Sequence, residues 1–149
     1  MQQAEHIGIA VKSLNTSVSL FEQLLNTPSY KVEEVATEGV NTAFFQVGGT
    51  KIELLEATKV DSPIAKFIDK KGEGIHHLAF AVDNIEAEMK RLAALGFELL
   101  NEKPKEGADN KLVCFLHPKT TNGVLIELCQ ERSPSPVLPE GEGDKGYDC

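Results

Sequence analysis

Arginine is almost missing from this sequence: Arg91 and Arg132 are the two it has in 149 residues. Cysteine is scarce as well. Cys114, Cys129 and Cys149 stand far apart with no C-x-x-C spacing, and an odd count without a secretory leader predicts reduced thiols. No apolar run approaches the ~20 residues needed to span a bilayer, so no membrane partner is expected. The N-terminus carries neither an Arg-rich transit pattern nor a secretory h-region, and regular structure is expected from about Glu5; the cytoplasm is the predicted location. Acidic residues outnumber basic ones, 23 to 15. A net charge of −8 repels phosphate backbones over most of the surface and argues against non-specific nucleic-acid binding, while local lysine clusters leave a phosphorylated small molecule open. What remains is an ordinary globular mixture, 41% apolar and 26% charged, long enough for one domain with a real core.

The most informative feature present is an internal repeat. "HIGIAVKSLNTSVSLFEQLL" from His6 aligns with "HLAFAVDNIEAEMKRLAALG" from His77, an offset of 71 (77 − 6). The match pairs Ala10 with Ala81, Val11 with Val82, Leu14 with Ile85, Val18 with Met89 and Phe21 with Leu92. The same offset places Phe44 on Phe115 and Glu38 on Asp109. After a turn longer by three residues, "KIELLE" (51–56) meets "LIELCQ" (125–130), so Glu53 pairs with Glu127 and Leu54 with Leu128.

Each half reads as strand, helix, then strands. In the opening strands Ile7, Ile9 and Val11 alternate with His6, Gly8 and Ala10, and Leu78, Phe80 and Val82 alternate with His77, Ala79 and Ala81. Large apolar side chains on one face predict burial against a helix. The histidine face carries only glycine and alanine, which predicts room for something other than a side chain. Leu14, Val18, Phe21 and Leu25 form one helical stripe, and Ile85, Met89, Leu92 and Leu95 form another, with Asn84 as N-cap and Gly96 as stop. The stretches from Asn41 and Asn110 read as strand–turn–strand around Gly48-Gly49 and Asn122-Gly123, and residues 31–36 and 97–101 are expected to add a strand each. Between the halves, Ser62 (cap), Pro63 (first turn), Gly72 and Gly74 (end) predict a linker helix over 61–72. The resulting division is repeat 1 over 4–58, repeat 2 over 74–131, together one domain over 1–132, and a Pro/Gly/acid-rich tail over 133–149 that is expected to be poorly ordered or loosely docked.

The repeat turns scattered residues into equivalent pairs: His6 and Glu53 in one half, His77 and Glu127 in the other. In each half the histidine is on the first strand and the glutamate on the last. If the halves pack about a pseudo-two-fold axis, the four converge at its centre. Two imidazoles and two carboxylates suit a divalent ion such as Co²⁺, Mn²⁺, Ni²⁺, Fe²⁺ or Zn²⁺, and leave two octahedral positions open. His76 has Glu5 as its counterpart and is expected on the opposite face of its strand, in a structural or rim position. His117, paired with Gln46, is expected to line a cavity at most.

A βαβββ unit used twice around a His/Glu metal cup resembles the vicinal oxygen chelate superfamily. Within it, "DSPIAKF", "GEGIHHLAFAVDNI" and "FLHPK…GVLIEL" are similar to the methylmalonyl-CoA epimerase family over residues 4–130. The resemblance implies an α+β fold of two tandem βαβββ modules forming a pseudo-two-fold curved sheet with helices outside. It also implies a divalent metal on His6, Glu53, His77 and Glu127, an acyl-CoA substrate and a homodimer. The implied reaction interconverts the (R) and (S) forms of methylmalonyl-CoA by 1,1-proton transfer through an enolate. One base is implied to be Glu127. The other is implied in a P-E-x-G/K-V stretch that here reads A-T-E-G-V (36–40). Thr37 takes the glutamate's place by ungapped alignment, and the adjacent Glu38 is preferred over Glu34 and Glu53. Lys66, Lys70, Lys71, Lys111 and Lys119 are available to CoA phosphates but read as solvated surface charge.

Two rivals follow from the same resemblance. A glyoxalase I-type lactoylglutathione lyase uses a similar ligand set, but its relatives carry an arginine soon after the first histidine, where this chain reads "HIGIAVKSL". A non-catalytic antibiotic-binding protein shares the fold but generally lacks a full set of metal ligands. An extradiol dioxygenase fits poorly, because its iron takes two histidines and one carboxylate.

Overall fold

The structure, a computed structural model, describes residues 1–132; the expected character of the 133–149 tail, and Cys149 with it, lies outside the described residues. The elements run β1 (Gln3–Ala10), α1 (Leu14–Leu25), β2 (Lys31–Val35), β3 (Val40–Val47), β4 (Thr50–Ala57), α2 (Pro63–Lys71), β5 (Gly74–Ala81), α3 (Ile85–Ala94), β6 (Lys105–Glu106), β7 (Lys111–Leu116) and β8 (Ile126–Glu131). The α+β class and the tandem βαβββ order are as predicted. None of the helices among the described residues is long and apolar enough to cross a membrane.

Two compact units divide the chain, His6–Leu78 and Met1–Glu5 with Ala79 onward. In the His6–Leu78 unit β1 lies beside β4, β4 beside β3 and β3 beside β2. The β1–β4 pair is parallel and the other two are antiparallel. In the second unit, which takes β5 from Ala79 on, β5 lies beside β8, β8 beside β7 and β7 beside β6. The same strand order therefore recurs in both halves, as the sequence repeat requires.

In the His6–Leu78 unit one sheet face packs on α1: Ile9, Val11, Ala43, Phe45, Ile52 and Leu54 meet Leu14, Val18, Phe21 and Leu25. Ser13 caps this helix by accepting from the Thr16 N–H. The opposite face carries His6, Gly8 and Ala10 next to Lys51, Glu53 and Leu55. Helix α2 covers one end of it, placing Ile64, Phe67 and Ile68 over Ala10, Val40, Leu55 and Ala57. Ser62 and Pro63 start α2 as predicted, with the Ser62 hydroxyl accepting from the Ala65 N–H.

In the second unit α3 packs Ile85, Met89 and Leu92 on Val82, Cys114, Leu116 and Leu128. Asn84 caps it as expected. Two expectations are corrected here. Leu95 is not part of the stripe: the helix ends at Ala94, Leu95 is 65% exposed, and Phe97 and Leu99 fill its place. Residues 97–101 form no strand but a single bridge, Leu99 to Leu116. The edge strand forms later, at 105–106. Pro104, which has no N–H for a ladder, directly precedes it. Asn122 and Gly123 adopt the left-handed conformation of a turn, but within a longer connection that includes a 3-10 turn at Pro118–Thr120.

Candidate metal centre

Parallel pairing of β1 with β4 sets Gly8 opposite Glu53, and this places His6 and Glu53 on one face. Oε2 of Glu53 lies 3.3 Å from Nδ1 of His6. His77, from β5, brings its Nε2 to 3.0 Å from Nε2 of His6, with the rings perpendicular and their centroids 5.1 Å apart. All three residues are buried, at 5%, 5% and 6% exposure. Two unprotonated nitrogens would face each other with lone pairs, so one must carry the intervening hydrogen.

The group fits a divalent ion in that hydrogen's place. With metal–nitrogen bonds of ~2.0–2.1 Å, two nitrogens at right angles on one ion stand about 2.9–3.0 Å apart, close to the spacing observed. His6, Glu53 and His77 each offer one donor atom to this group. They are three of the four N/O donors expected from the sequence.

Gly8 makes this convergence possible. A Cβ there would stand 2.6 Å from Nδ1 and 2.7 Å from Nε2 of His77. The room expected on the histidine face is therefore taken, above Gly8, by the His77 ring. Its counterpart Ala79 carries its methyl into packing with Val113, Cys129 and Phe115.

His76 departs from its expected place. Neighbours on a strand point to opposite faces, yet Nδ1 of His76 lies 3.0 Å from Nδ1 of His77. His76 is half-buried and Phe67 of α2 holds its ring edge-on at 5.0 Å, so the ring takes a structural position beside the site. His117 caps the 3-10 turn at Pro118–Thr120, its Nδ1 accepting from the Lys119 N–H.

Glu127 stands on β8 of the second unit, buried, opposite Phe115. Glu53 faces Phe44 in the same way. Above each phenyl ring lies an ammonium, Lys31 over Phe44 at 4.8 Å and Lys105 over Phe115 at 5.7 Å. The sequence reading missed these lysines because they are 74 residues apart (105 − 31), whereas the phenylalanines keep the offset of 71 (115 − 44). It also passed over Glu5, which is buried and accepts from the Cys129 thiol at 3.9 Å.

Glu38 ends a 3-10 turn, Ala36–Glu38, closed by Gly39 in the left-handed conformation. The turn leaves Glu38 half-buried and Thr37 exposed. Among the described residues, Glu38 is not one of the gathered donors around His6, Glu53 and His77. Glu34 projects from the exposed side of β2. Of the lysines read as surface charge, Lys111 is buried instead, its Nζ 3.5 Å from Asp109. Lys119 is paired with Glu98 at 2.9 Å, which holds the Glu98 carboxyl below its usual range. Cys114 and Cys129 are free and buried, and burial pushes the Cys114 thiol up, which keeps it protonated and unreactive.

Residues 5–115 match the family model of the Glyoxalase/Bleomycin resistance protein/Dioxygenase superfamily. The chain is 40% identical over 126 residues to the mitochondrial methylmalonyl-CoA epimerase of Homo sapiens, covering 84% of this chain and 72% of that one. It is 39% identical over 127 residues to an ethylmalonyl-CoA/methylmalonyl-CoA epimerase of Cereibacter sphaeroides, covering 84% and 95%. Among solved structures, a variant of Streptomyces coelicolor methylmalonyl-CoA epimerase in complex with 2-nitronate-propionyl-CoA superposes with a TM-score of 0.85 at 31% identity, covering 89% of this chain and 99% of that one.

Proposed function

We propose that this chain, which belongs to the glyoxalase/bleomycin resistance protein/dioxygenase superfamily, is an isomerase that interconverts the (R) and (S) forms of methylmalonyl-CoA. The observation that carries the reading is the buried His6–Glu53–His77 cluster in a chain so similar to enzymes named for that activity. The α-proton of this substrate is flanked by a thioester and a carboxylate, so it is already acidic, and the reaction needs no redox group.

His6, Glu53, His77 and Glu127 are the residues we assign to a divalent ion, with Co²⁺ first and Mn²⁺, Ni²⁺ or Zn²⁺ as alternatives. Bound there, the ion would supply a Lewis acid for the thioester oxygen. The chain's own groups do the rest. His6 and His77 hold one another at a fixed spacing, and Gly8 leaves the space that lets them meet. Glu127 is assigned one proton transfer, its counterpart Glu53 having the same burial and the same phenyl neighbour. Glu38 is assigned the transfer on the opposite face of the α-carbon; it is the half-buried carboxylate of the A-T-E-G-V stretch. The reading includes a homodimer and a cytoplasmic location.

Glyoxalase chemistry is disfavoured by the arginines. Arg91 is bound to Glu88 at 2.8 Å on α3 and Arg132 to Glu106 at 3.0 Å, and neither stands soon after the first histidine. The deciding experiment incubates the protein with methylmalonyl-CoA in D₂O. Deuterium enters at the α-carbon at a rate that tracks epimerisation; turnover of only the methylglyoxal–glutathione adduct would overturn the reading.

A further inference from the structure

We infer that His76 is a positioning residue for the metal centre: it accepts a hydrogen bond from Nδ1 of His77 and thereby fixes the tautomer that presents Nε2 to the ion. The inference rests on the reading of His77 as a ligand. Three contacts carry it. Nε2 of His77 faces His6 at 3.0 Å, and this is the nitrogen the ion needs unprotonated. Nδ1 of His77 faces Nδ1 of His76, also at 3.0 Å. The His76 ring is itself held edge-on by Phe67, with centroids 5.0 Å apart.

A neutral imidazole carries one hydrogen, and it sits on one nitrogen or the other. If Nε2 of His77 is to donate its lone pair to a metal, the hydrogen must be on Nδ1, and the group that Nδ1 meets is His76. Outer partners of this kind orient metal-bound histidines and set which nitrogen is free. The adjacent histidines in "GIHHLAF" then have unequal tasks, one to hold the ion and one to hold the holder. Phe67 belongs to "DSPIAKF" on the linker helix, so that helix reaches the metal centre through one ring contact and one hydrogen bond.

Asparagine separates an acceptor role from mere bulk, because its Oδ1 stands about as far from the backbone as Nδ1 of histidine. The full chain is titrated calorimetrically with Co²⁺ alone, with unfolding midpoints measured in parallel. His76→Leu should weaken binding by about 10–100-fold, while His76→Asn should stay within about threefold of wild type. His77→Ala should bind no ion saturably. Wild-type affinity in His76→Leu overturns the inference. So does equal loss in His76→Asn and His76→Leu. Complete loss in His76→Leu also overturns it, since His76 would then be a ligand. Should His77→Ala bind normally, the ligand assignment itself fails, a result distinct from all of these. If the variants unfold, nitrogen-15 spectra of the wild-type chain loaded with Zn²⁺ decide. A proton on Nδ1 of His77 supports the inference, and its absence there overturns it.

Discussion

Gly8 has little freedom to change. Its neighbour across the sheet is Glu53, and the space where its side chain would grow is held by the His77 ring. Gly8→Ala is expected to destabilise the protein by about 1–3 kcal/mol through overpacking. Because the displaced group is a proposed ligand, divalent affinity should also fall at least about tenfold, equivalent to ~1.4 kcal/mol. In a His77→Ala background the same change should cost little, since the clashing ring is gone. Denaturant melts of the four proteins in this cycle check the coupling, and calorimetric titration of the wild type and Gly8→Ala checks the affinity; an equal stability cost in both backgrounds would show that the ring is not the obstacle. At this scale much of the site was legible. His6, Glu53 and His77 were chosen by the repeat alone, and the structure gathers them. The His76–His77 contact was not legible, because alternation along a strand assigns directions to Cβ atoms and says nothing about where two imidazole rings lean.

At the scale of elements, caps read better than edges. Ser62 and Asn84 start the helices they were expected to start, because a side-chain acceptor before an amphipathic stripe is a local signal. The short edge strand at 105–106 and the lone bridge at Leu99 have no comparable signal; their place is set by what β7 leaves to be paired. Leu95 misled the reading for a related reason. Its spacing fits the stripe, but the chain leaves the helix one residue earlier and Phe97 and Leu99 cover the core instead. A test of cap energetics follows for α2. Its N-cap Ser62 is buried at 3% exposure, so water cannot replace the hydroxyl lost in Ser62→Ala. Stability should fall by about 1 kcal/mol, seen as a drop of roughly 3–4 °C in Tm. Co²⁺ affinity should stay nearly unchanged, because Phe67 still packs against His76 once the helix is formed. A large loss of affinity with little change in Tm would contradict this account.

At the scale of the molecule, the repeat made the fold readable. Two copies of one strand order, β1-β4-β3-β2 and β5-β8-β7-β6, explain why an offset of 71, widening to 74 after the longer turn, pairs candidate ligands and core positions together. What the repeat does not carry is the difference between the copies: Gly8 against Ala79, and His76 against Glu5. Net charge is another property of the whole chain. At −8 the protein's field opposes the approach of an acyl-CoA, whose phosphates and free carboxylate are negative. Raising the ionic strength from about 10 mM to about 150 mM shortens the screening length from ~30 Å to ~8 Å. The kcat/KM for methylmalonyl-CoA should therefore rise with salt, by several-fold across that range. A short methylmalonyl thioester that lacks the nucleotide phosphates should respond less, since it carries fewer charges into the same field. Stopped assays of both substrates across a salt series, at fixed divalent-ion concentration, check the expectation. A fall in kcat/KM with salt would mean that local cations such as Lys66, Lys70 and Lys71 outweigh the net charge along the path by which the substrate arrives.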